Sequence, residues 1–143
     1  MTNVASGGTI RCLLIRAGEC LCAIPLTQLR RVVRALVVHP LPGSAPELLG
    51  LAEFAGEPLP ILDLATLISA SPVATPAFPI TVIAWAGPPD RREAIGLAAD
   101  AALEIAELSI AQMTLAGDGV LQGDAVLAGQ PARVLNLEAL EAS

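Results

Sequence analysis

Two segments of the chain, LLGLAEFAGEPLPILDLATL (48–67) and LQGDAVLAGQPARVLNLEAL (121–140), repeat one pattern at a separation of 73 residues. Nine of the twenty positions are identical. In each segment two short apolar runs flank an Ala-Gly pair that is followed two residues later by Pro, a pattern typical of a β-hairpin. Gly56 and Gly129 are expected at the hairpin tips. Pro58 and Pro131 are expected where a strand is locally an edge, because proline donates no ladder hydrogen bond.

The same separation recurs in a second region, which indicates a duplicated unit. It aligns Ile24 with Leu97, and it sets Val32 against Ile105. Each unit then contains about five short strands with Gly/Pro turns, and closing into a small barrel is the economical way to bury their apolar face. We therefore predict an all-β fold with short helical turns, a single domain over residues 1–143 made of two packed barrels.

The barrel boundaries are predicted from composition. The Pro/Ser-rich stretch SASPVATPAFP (69–79) separates the halves. The first barrel is therefore placed at residues 9–70 and the second at 77–143.

Individual elements follow from local patterns. TIRCLLIRAGECLCAIPL (9–26) predicts a hairpin, followed by a turn of helix and a strand. ITVIAWAG (80–87) predicts a strand and AIGLAADAALEIAEL (94–108) two more. Asp63 and Asn136 are expected to cap helical turns, and Asp100 to accept backbone N–H groups at a strand end.

Composition excludes several classes of function. The chain has no Tyr, one Trp and two Phe, and its net charge is −6 with every basic residue an Arg. Base-stacking nucleic-acid modules and proteins that bind anionic membranes need the opposite balance. Apolar residues make up 54% of the chain, but no run reaches the roughly 18–20 residues of a membrane span. The N-terminus does not resemble a signal peptide, so we expect a cytoplasmic location.

Catalytic and metal-binding chemistry is not predicted. The chain has an odd number of cysteines, namely Cys12, Cys20 and Cys22. We expect them to be small buried thiols rather than metal ligands. A paired-carboxylate enzyme is the alternative, but Asp63 aligns with Asn136, so one half lacks the acid. The single His39 has no recognisable orienting partner. No catalytic, cofactor-binding or metal-binding residue is assigned.

The segments CAIPLTQLRRVV (22–33) and LLGLAEFAGEPLPILDL (48–64) resemble the CheW family of chemotaxis coupling proteins. The matching positions in the second segment are Gly50, Phe54, Gly56, Pro60, Ile61, Asp63 and Leu64. A further family motif is matched by Gly96, Leu97, Asp100, Glu104 and Ile105, and the likeness runs from about Thr9 to Leu140.

The resemblance implies two five-stranded SH3-like barrels and a non-enzymatic adaptor role in a two-component signal transduction system. The implied partners are the regulatory domain of a CheA-type histidine kinase and the cytoplasmic tip of a methyl-accepting chemoreceptor. No cofactor and no nucleic acid is implied. The partner-binding positions that we carry over are Leu29, Arg31, Val33, Gly50, Ala55, Gly56, Glu57 and Gly96.

Two departures from the family pattern affect the expected partners. The family's Arg at the hairpin falls at Ala55, which removes a bidentate donor, and its Glu falls at Arg31, which reverses a charge. A divergent member of a pilus-motility or other chemosensory pathway, binding a kinase but no standard receptor, is therefore an alternative. Arg31 itself has two open interpretations, a solvated face above two core valines or a direct partner contact.

Overall fold

The structure, a computed structural model, describes residues 8–34, 36–43, 45–68, 80–115, 121–127 and 129–140. Within these ranges the chain is mostly β-strand. The strands are β1 (Thr9–Ala17), β2 (Cys20–Pro25), β3 (Leu29–Arg34), β4 (Leu48–Phe54), β5 (Glu57–Asp63), β6 (Ile80–Ala86), β7 (Glu93–Ala99), β8 (Ala101–Ser109), β9 (Thr114–Leu115), β10 (Leu121–Leu127) and β11 (Gln130–Leu135). One helical turn, α1, spans Leu64–Leu67, and 3-10 turns span Leu26–Gln28, Ile110–Gln112 and Leu137–Ala139.

The strands form two curled sheets, which we name barrel A and barrel B. Barrel A has the order β8-β1-β2-β11-β10-β9, and barrel B the order β3-β6-β7-β5-β4. In barrel A, Leu108 of β8 and Ala125 of β10 share one apolar cluster although they come from well-separated strands. In barrel B, Val33 of β3 packs on a cluster that contains Ala52 of β4. The first strand of each sheet thus packs with a strand near the opposite edge, so each sheet curls into a barrel. The predicted all-β fold of two barrels is confirmed.

The internal repeat is visible in the strands. The 73-residue separation relates β2 to β7, β3 to β8, β4 to β10 and β5 to β11. Strand registers agree as well, because Val134 pairs with Ala23 in barrel A as Ile61 pairs with Gly96 in barrel B. Strand β6 follows β1 by about 69 residues instead, since the loop before β7 is four residues longer than the loop before β2.

The predicted barrel boundaries, residues 9–70 and 77–143, are wrong. The hairpin β1–β2 joins β8, β10 and β11 of the second half, and the hairpin β6–β7 joins β3, β4 and β5 of the first half. Each repeat therefore lends its first hairpin to the barrel of the other. The internal repeat shows which segments of the two halves correspond. It does not show which barrel a hairpin joins, because either hairpin could pair in the same way in either barrel.

This exchange buries both faces of the hairpin strands. In β1, Leu14 points into barrel A, whereas Leu13 and Ile15 point into a central core between the barrels. In β6, Ile83 points into barrel B and Val82 into the central core. Strands buried on both faces read as continuous aliphatic runs, which accounts for the composition.

The turns follow the predicted chemistry. The two-residue loop between β4 and β5 has φ of 54° at Ala55 and 81° at Gly56, which are the positive values of a type I′ turn. Pro58 pairs with β4 but lies beyond the Ile61–Asp63 segment that pairs with β7, so its missing N–H costs no ladder bond.

The predicted helix caps are also present. A side-chain oxygen of Asp63 accepts from the backbone N–H of Ala65 at 3.1 Å, and that of Asn136 accepts from Glu138 at 3.2 Å. The two caps are 73 residues apart, as are their donors.

Candidate partner-binding site

A cleft of about 620 Å³ opens at one end of barrel B, which we name the barrel B mouth. It lies where β3 begins, β4 and β6 end, and β5 and β7 begin. Its lining residues are Arg30, Leu51, Phe54, Ala55, Glu57, Pro58, Leu59, Pro60, Trp85, Arg92, Glu93 and Ala94. Leu59 is buried in the barrel B core below, so the cleft has an apolar floor.

An arginine–aromatic stack forms one wall of the barrel B mouth. The guanidinium carbon of Arg92 lies 4.3 Å from the ring centroid of Trp85, and that of Arg30 lies 5.1 Å from the same ring. Arg30 also lies 5.6 Å from the centroid of the Phe54 ring. Each such contact at an exposed site is worth about 0.5–1 kcal/mol, which orders the guanidinium groups without neutralising them.

The rim of the mouth combines both signs of charge. Arg30, Arg92, Glu57 and Glu93 are all exposed. An ordered guanidinium can bind a carboxylate through two parallel hydrogen bonds, and Trp and Arg are the residues that dominate binding energy at protein interfaces. The arrangement suits recognition of another protein that presents acidic and apolar groups together.

The corresponding end of barrel A differs in chemistry. By the repeat, Leu103 takes the place of Arg30 and Leu127 that of Phe54. Arg16 stands where Trp85 lies in the other half, and Glu19 where Arg92 lies. The two mouths share a backbone plan, but the arginine–aromatic stack belongs to barrel B.

Three of the predicted partner-binding residues lie together at the barrel B mouth. Ala55, Gly56 and Glu57 are exposed at the tip of the β4–β5 hairpin, and Ala55 and Glu57 line the cleft. The sequence pattern therefore identified residues on one side of this cleft.

The three predicted residues of β3 lie in different environments. Arg31 is exposed, opposite Ile83 of β6. Val33 is half-buried against the barrel B core, and Leu29 packs against the central core. Val32 is 38% exposed, so only one of the two valines fits the interpretation that both belong to the core.

Gly50 and Gly96, which were predicted to contact a partner, are instead buried. A Cβ atom at Gly50 would collide with the backbone carbonyl oxygen of His39, which β4 meets through an isolated bridge to Leu51. A Cβ at Gly96 would lie 2.5 Å from Cδ1 of Ile61 inside barrel B. Both glycines make room for close packing.

Trp85 and Arg92 are cleft residues that the sequence pattern did not identify. A signal existed, because the chain has three aromatic residues in all and two of them meet here. The signal was weak, since Phe54 and Trp85 lie in different repeats.

Asp63, which was considered for catalysis, and Asp100, which was predicted to accept backbone N–H groups, both have structural partners. Asp63 accepts from the hydroxyl of Thr66 at 2.8 Å in addition to its helix-capping bond. Asp100 accepts from the backbone N–H of Gly18 at 2.7 Å, which fastens the β1–β2 turn to the start of β8. Each carboxylate is thus engaged in holding a turn.

A second opening, of about 610 Å³, lies beside the turns that follow β2 and β11. The buried Gln28 closes it on one side, accepting from the backbone N–H of Leu137 at 2.7 Å. Its amide nitrogen lies 3.5 Å from Oδ1 of Asn136. This residue ties the two repeats together, which is a structural role.

Cys12 and Cys22 are buried in the core, Cys20 is half-buried against it, and all three are unpaired thiols. Burial raises the pKa of Cys12 to about 11. Burial, with a smaller contribution from Cys20, raises the pKa of Cys22 to about 12, against a lowering effect of Arg133. Cys20 and Cys22 both face the central core, because residues two apart on a strand share a face. Thiols held in this state are poor nucleophiles and poor metal ligands.

The described residues offer neither a metal site nor a membrane-spanning helix. They contain no group of three or more His, Cys, Asp or Glu side chains placed to hold a metal ion. No helix in the described part of the chain is long and apolar enough to cross a membrane.

Comparisons with known proteins give a consistent family. The family model for the CheW-like domain matches residues 11–143. Among solved structures, the scaffolding protein TtCheW from Thermoanaerobacter tengcongensis superposes with a TM-score of 0.75 at 14% sequence identity, covering 95% of this chain and 94% of that chain. None of the curated proteins compared gives a significant match.

Proposed function

Because the chain belongs to the CheW-like domain family, we propose that it is a non-enzymatic cytoplasmic adaptor that couples a CheA-type histidine kinase to chemoreceptors. The family is one of scaffold and adaptor proteins, and its members act by holding other proteins. The observation that favours a docking role for this chain is the barrel B mouth, where two ordered guanidinium groups flank Trp85.

The regulatory domain of the kinase is the partner that we assign to the barrel B mouth. The site offers an apolar floor, an aromatic wall and paired donors, which together suit a folded partner better than a small substrate. Burial of Trp85 on binding should change its emission, and Trp85 is the only Trp in the chain.

The experiment is a titration of the purified chain with that regulatory domain, followed by Trp85 fluorescence and calorimetry. Arg92→Glu should weaken binding about tenfold, because it replaces a central donor by a repelling charge. Glu19→Arg, at the corresponding place in barrel A, is the matched control and should bind as the unaltered chain does. Equal affinity of all three proteins would contradict the assignment.

Arg31 gives a second test of the docking surface. Arg31→Glu should reduce capture of the partner in a pull-down while the melting temperature stays nearly unchanged, since the side chain is exposed. A large drop in melting temperature would instead assign a structural role to Arg31.

A second candidate function follows from Ala55 and Arg31, which replace the family's Arg and Glu. The chain would then serve a pilus-motility or other chemosensory pathway and bind the kinase without a standard receptor. Binding to the kinase domain but not to a receptor-tip fragment separates this function from the first.

A further inference from the structure

Arg30 and Arg92, which we name the arginine pair, reach one aromatic ring from opposite halves of the chain. Arg30 lies near the start of β3 and Arg92 in the loop before β7, and their guanidinium carbons lie 5.1 and 4.3 Å from the ring centroid of Trp85. Beyond these contacts and that of Arg30 with Phe54, neither guanidinium has a hydrogen-bond or ion-pair partner among the described residues. Both groups therefore keep their N–H donors available for a ligand.

A β-bulge in β3 directs Arg30 to this place. The pairing of β3 with β6 passes from Leu29 to Arg31 and leaves Arg30 between them as the extra residue. Such a bulge re-aims a side chain and is common beside functional sites. The register of β8 shifts at the corresponding place in barrel A, where Leu103 takes the position of Arg30. The backbone feature is thus shared by both repeats, whereas the cation is particular to barrel B.

The two cations of the arginine pair repel each other across the ring that they share. Glu57 and Glu93 line the same cleft, but within the described part of the chain neither forms an ion pair with the arginine pair. An anion bound between the two guanidinium groups offsets this repulsion. The arrangement therefore favours a bound anion over an empty cleft.

The lining of the barrel B mouth favours a carboxylate over other anions. A planar guanidinium donates two parallel hydrogen bonds to a carboxylate. Glu57 and Glu93 repel a phosphate group, which carries more charge, more strongly than they repel a carboxylate. The apolar floor at Leu59 suits the methylene groups that carry the carboxylate of an Asp or Glu side chain.

We propose that the arginine pair binds one carboxylate on an acidic side chain of the docked partner, and that Trp85 is the positioning residue that holds both guanidinium groups in place. Trp85 suits this role because it is half-buried and paired with Ala94 on β7, whereas both arginines are exposed. The inference rests on the proposed docking function and adds the chemical group that the barrel B mouth recognises.

A mutant cycle with the kinase regulatory domain, measured by calorimetry, tests the arginine pair and Trp85. Arg30→Gln and Arg92→Gln should each weaken binding about fivefold, and the double variant by less than the product of the two, because both donate to one carboxylate. Trp85→Leu should weaken binding by a similar factor, and Trp85→Phe, which keeps an aromatic ring, should restore most of the affinity. In the Arg30→Gln/Arg92→Gln background, Trp85→Leu should cost less than about twofold. An undiminished loss there would show that Trp85 contacts the partner directly and does not act through the arginines.

Arg91→Gln is the matched control for the arginine pair. Arg91 precedes Arg92 in the same loop, is exposed, and has no ring contact within the described part of the chain. The control removes the same charge and should bind within about twofold of the unaltered chain. If Arg91→Gln weakens binding as much as Arg92→Gln does, overall charge governs docking and the proposal is wrong.

The preference for a carboxylate is tested on the free chain, without the kinase domain. The side-chain N–H signals of Arg30 and Arg92 are followed by NMR during titration with N-acetylglutamate N-methylamide, whose only charge is a side-chain carboxylate. Both signals should shift saturably with this probe, but not with the corresponding glutamine compound. The shifts should disappear in Trp85→Leu. N-acetylalanine, whose carboxylate is a chain end, and inorganic phosphate are the competing probes and should shift the signals less.

The two experiments separate failure of this inference from failure of the proposed function. Saturable shifts with the glutamate probe, without binding of the kinase domain, would support the carboxylate site and refute the proposed partner. Binding of the kinase domain without these shifts would leave the adaptor function standing and refute the carboxylate site. Larger shifts with N-acetylalanine or with phosphate would overturn the choice of an acidic side chain as the ligand.

Discussion

Ala55 adopts φ of 54° at a position where the hairpin geometry demands a left-handed backbone. For a residue with a Cβ this conformation costs about 1–2 kcal/mol relative to glycine. Gly56, the next residue, has φ of 81° and open space around it. The strain at this tip is therefore conformational and not steric.

Ala55→Asn should stabilise the protein by about 0.5–1 kcal/mol, because Asn tolerates the left-handed region and is favoured at this turn position. Gly56→Ala should destabilise by about 1 kcal/mol for the converse reason. Urea unfolding measures both. A lower free energy of unfolding for Ala55→Asn would show that the tip is not strained.

The buried thiols predict a dependence of stability on alkaline pH. The folded-state pKa values of Cys12 and Cys22, about 11 and about 12, lie above the reference value of 9.0. The unfolded chain therefore loses its thiol protons first as the pH rises. The stability contributed by the buried thiols is full below about pH 8.5 and is lost as the pH rises through the folded pKa values.

The measurement is the free energy of urea unfolding from pH 8 to 11 for the unaltered chain and for Cys12→Ala/Cys22→Ala. The variant should show a shallower decline over this window, whatever its absolute stability. Parallel curves would contradict the assignment of the decline to these thiols.

At the scale of elements, the helical turns after β5 and β11 are held by one device used twice. Asp63 caps α1, and Asn136 caps the turn at Leu137–Ala139. Asp63 additionally accepts from the Thr66 hydroxyl. The repeat thus supplies a natural test of which chemistry the cap requires.

Asp63→Ala should lower the free energy of unfolding by about 1 kcal/mol, because the N–H of Ala65 loses its acceptor. Asp63→Asn, the residue found at the corresponding position 136, should retain most of the stability. Thermal or urea unfolding of the two variants makes the comparison. Equal losses in both would mean that the charge, and not the capping geometry, stabilises the turn.

Most elements were predictable from the sequence because their signals are local. The strand runs, the Ala-Gly turn and both caps depend on residues within a few positions of one another. The short strand β9 and the 3-10 turn at Ile110–Gln112 were not predicted, since neither has a distinct pattern. The strands that form each barrel were predicted wrongly, because the pairing of strands that are distant in sequence does not change the periodicity of either strand.

Only those residues of the candidate site that come from the β4–β5 hairpin of the first repeat were predicted. Ala55, Gly56 and Glu57 come from one hairpin and were identified together. Trp85 and Arg92 belong to the β6–β7 hairpin, which reaches barrel B only through the exchange. A reading that kept each repeat in its own barrel could not bring them next to Phe54.

At the scale of the whole molecule, the hairpin exchange makes each barrel depend on both halves of the chain. Barrel B takes β3, β4 and β5 from the first half and β6 and β7 from the second. The central core between the barrels is built by the exchanged strands. Neither half contains a complete barrel.

Fragments comprising residues 1–72 and 73–143 should therefore be unfolded alone and fold when mixed. Circular dichroism and amide dispersion in NMR spectra, recorded before and after mixing, test this. Independent folding of either fragment would show that a single repeat closes its own barrel, contrary to the topology.

A partner that docks at the barrel B mouth should leave the corresponding end of barrel A free. The most direct measurement is hydrogen–deuterium exchange of the chain with and without the kinase regulatory domain. We expect slower exchange in peptides covering residues 51–60 and 85–94, and no change at residues 16–20 and 124–131. Protection at the barrel A end instead, or at neither end when the complex is saturated, would show that the partner does not dock at the barrel B mouth.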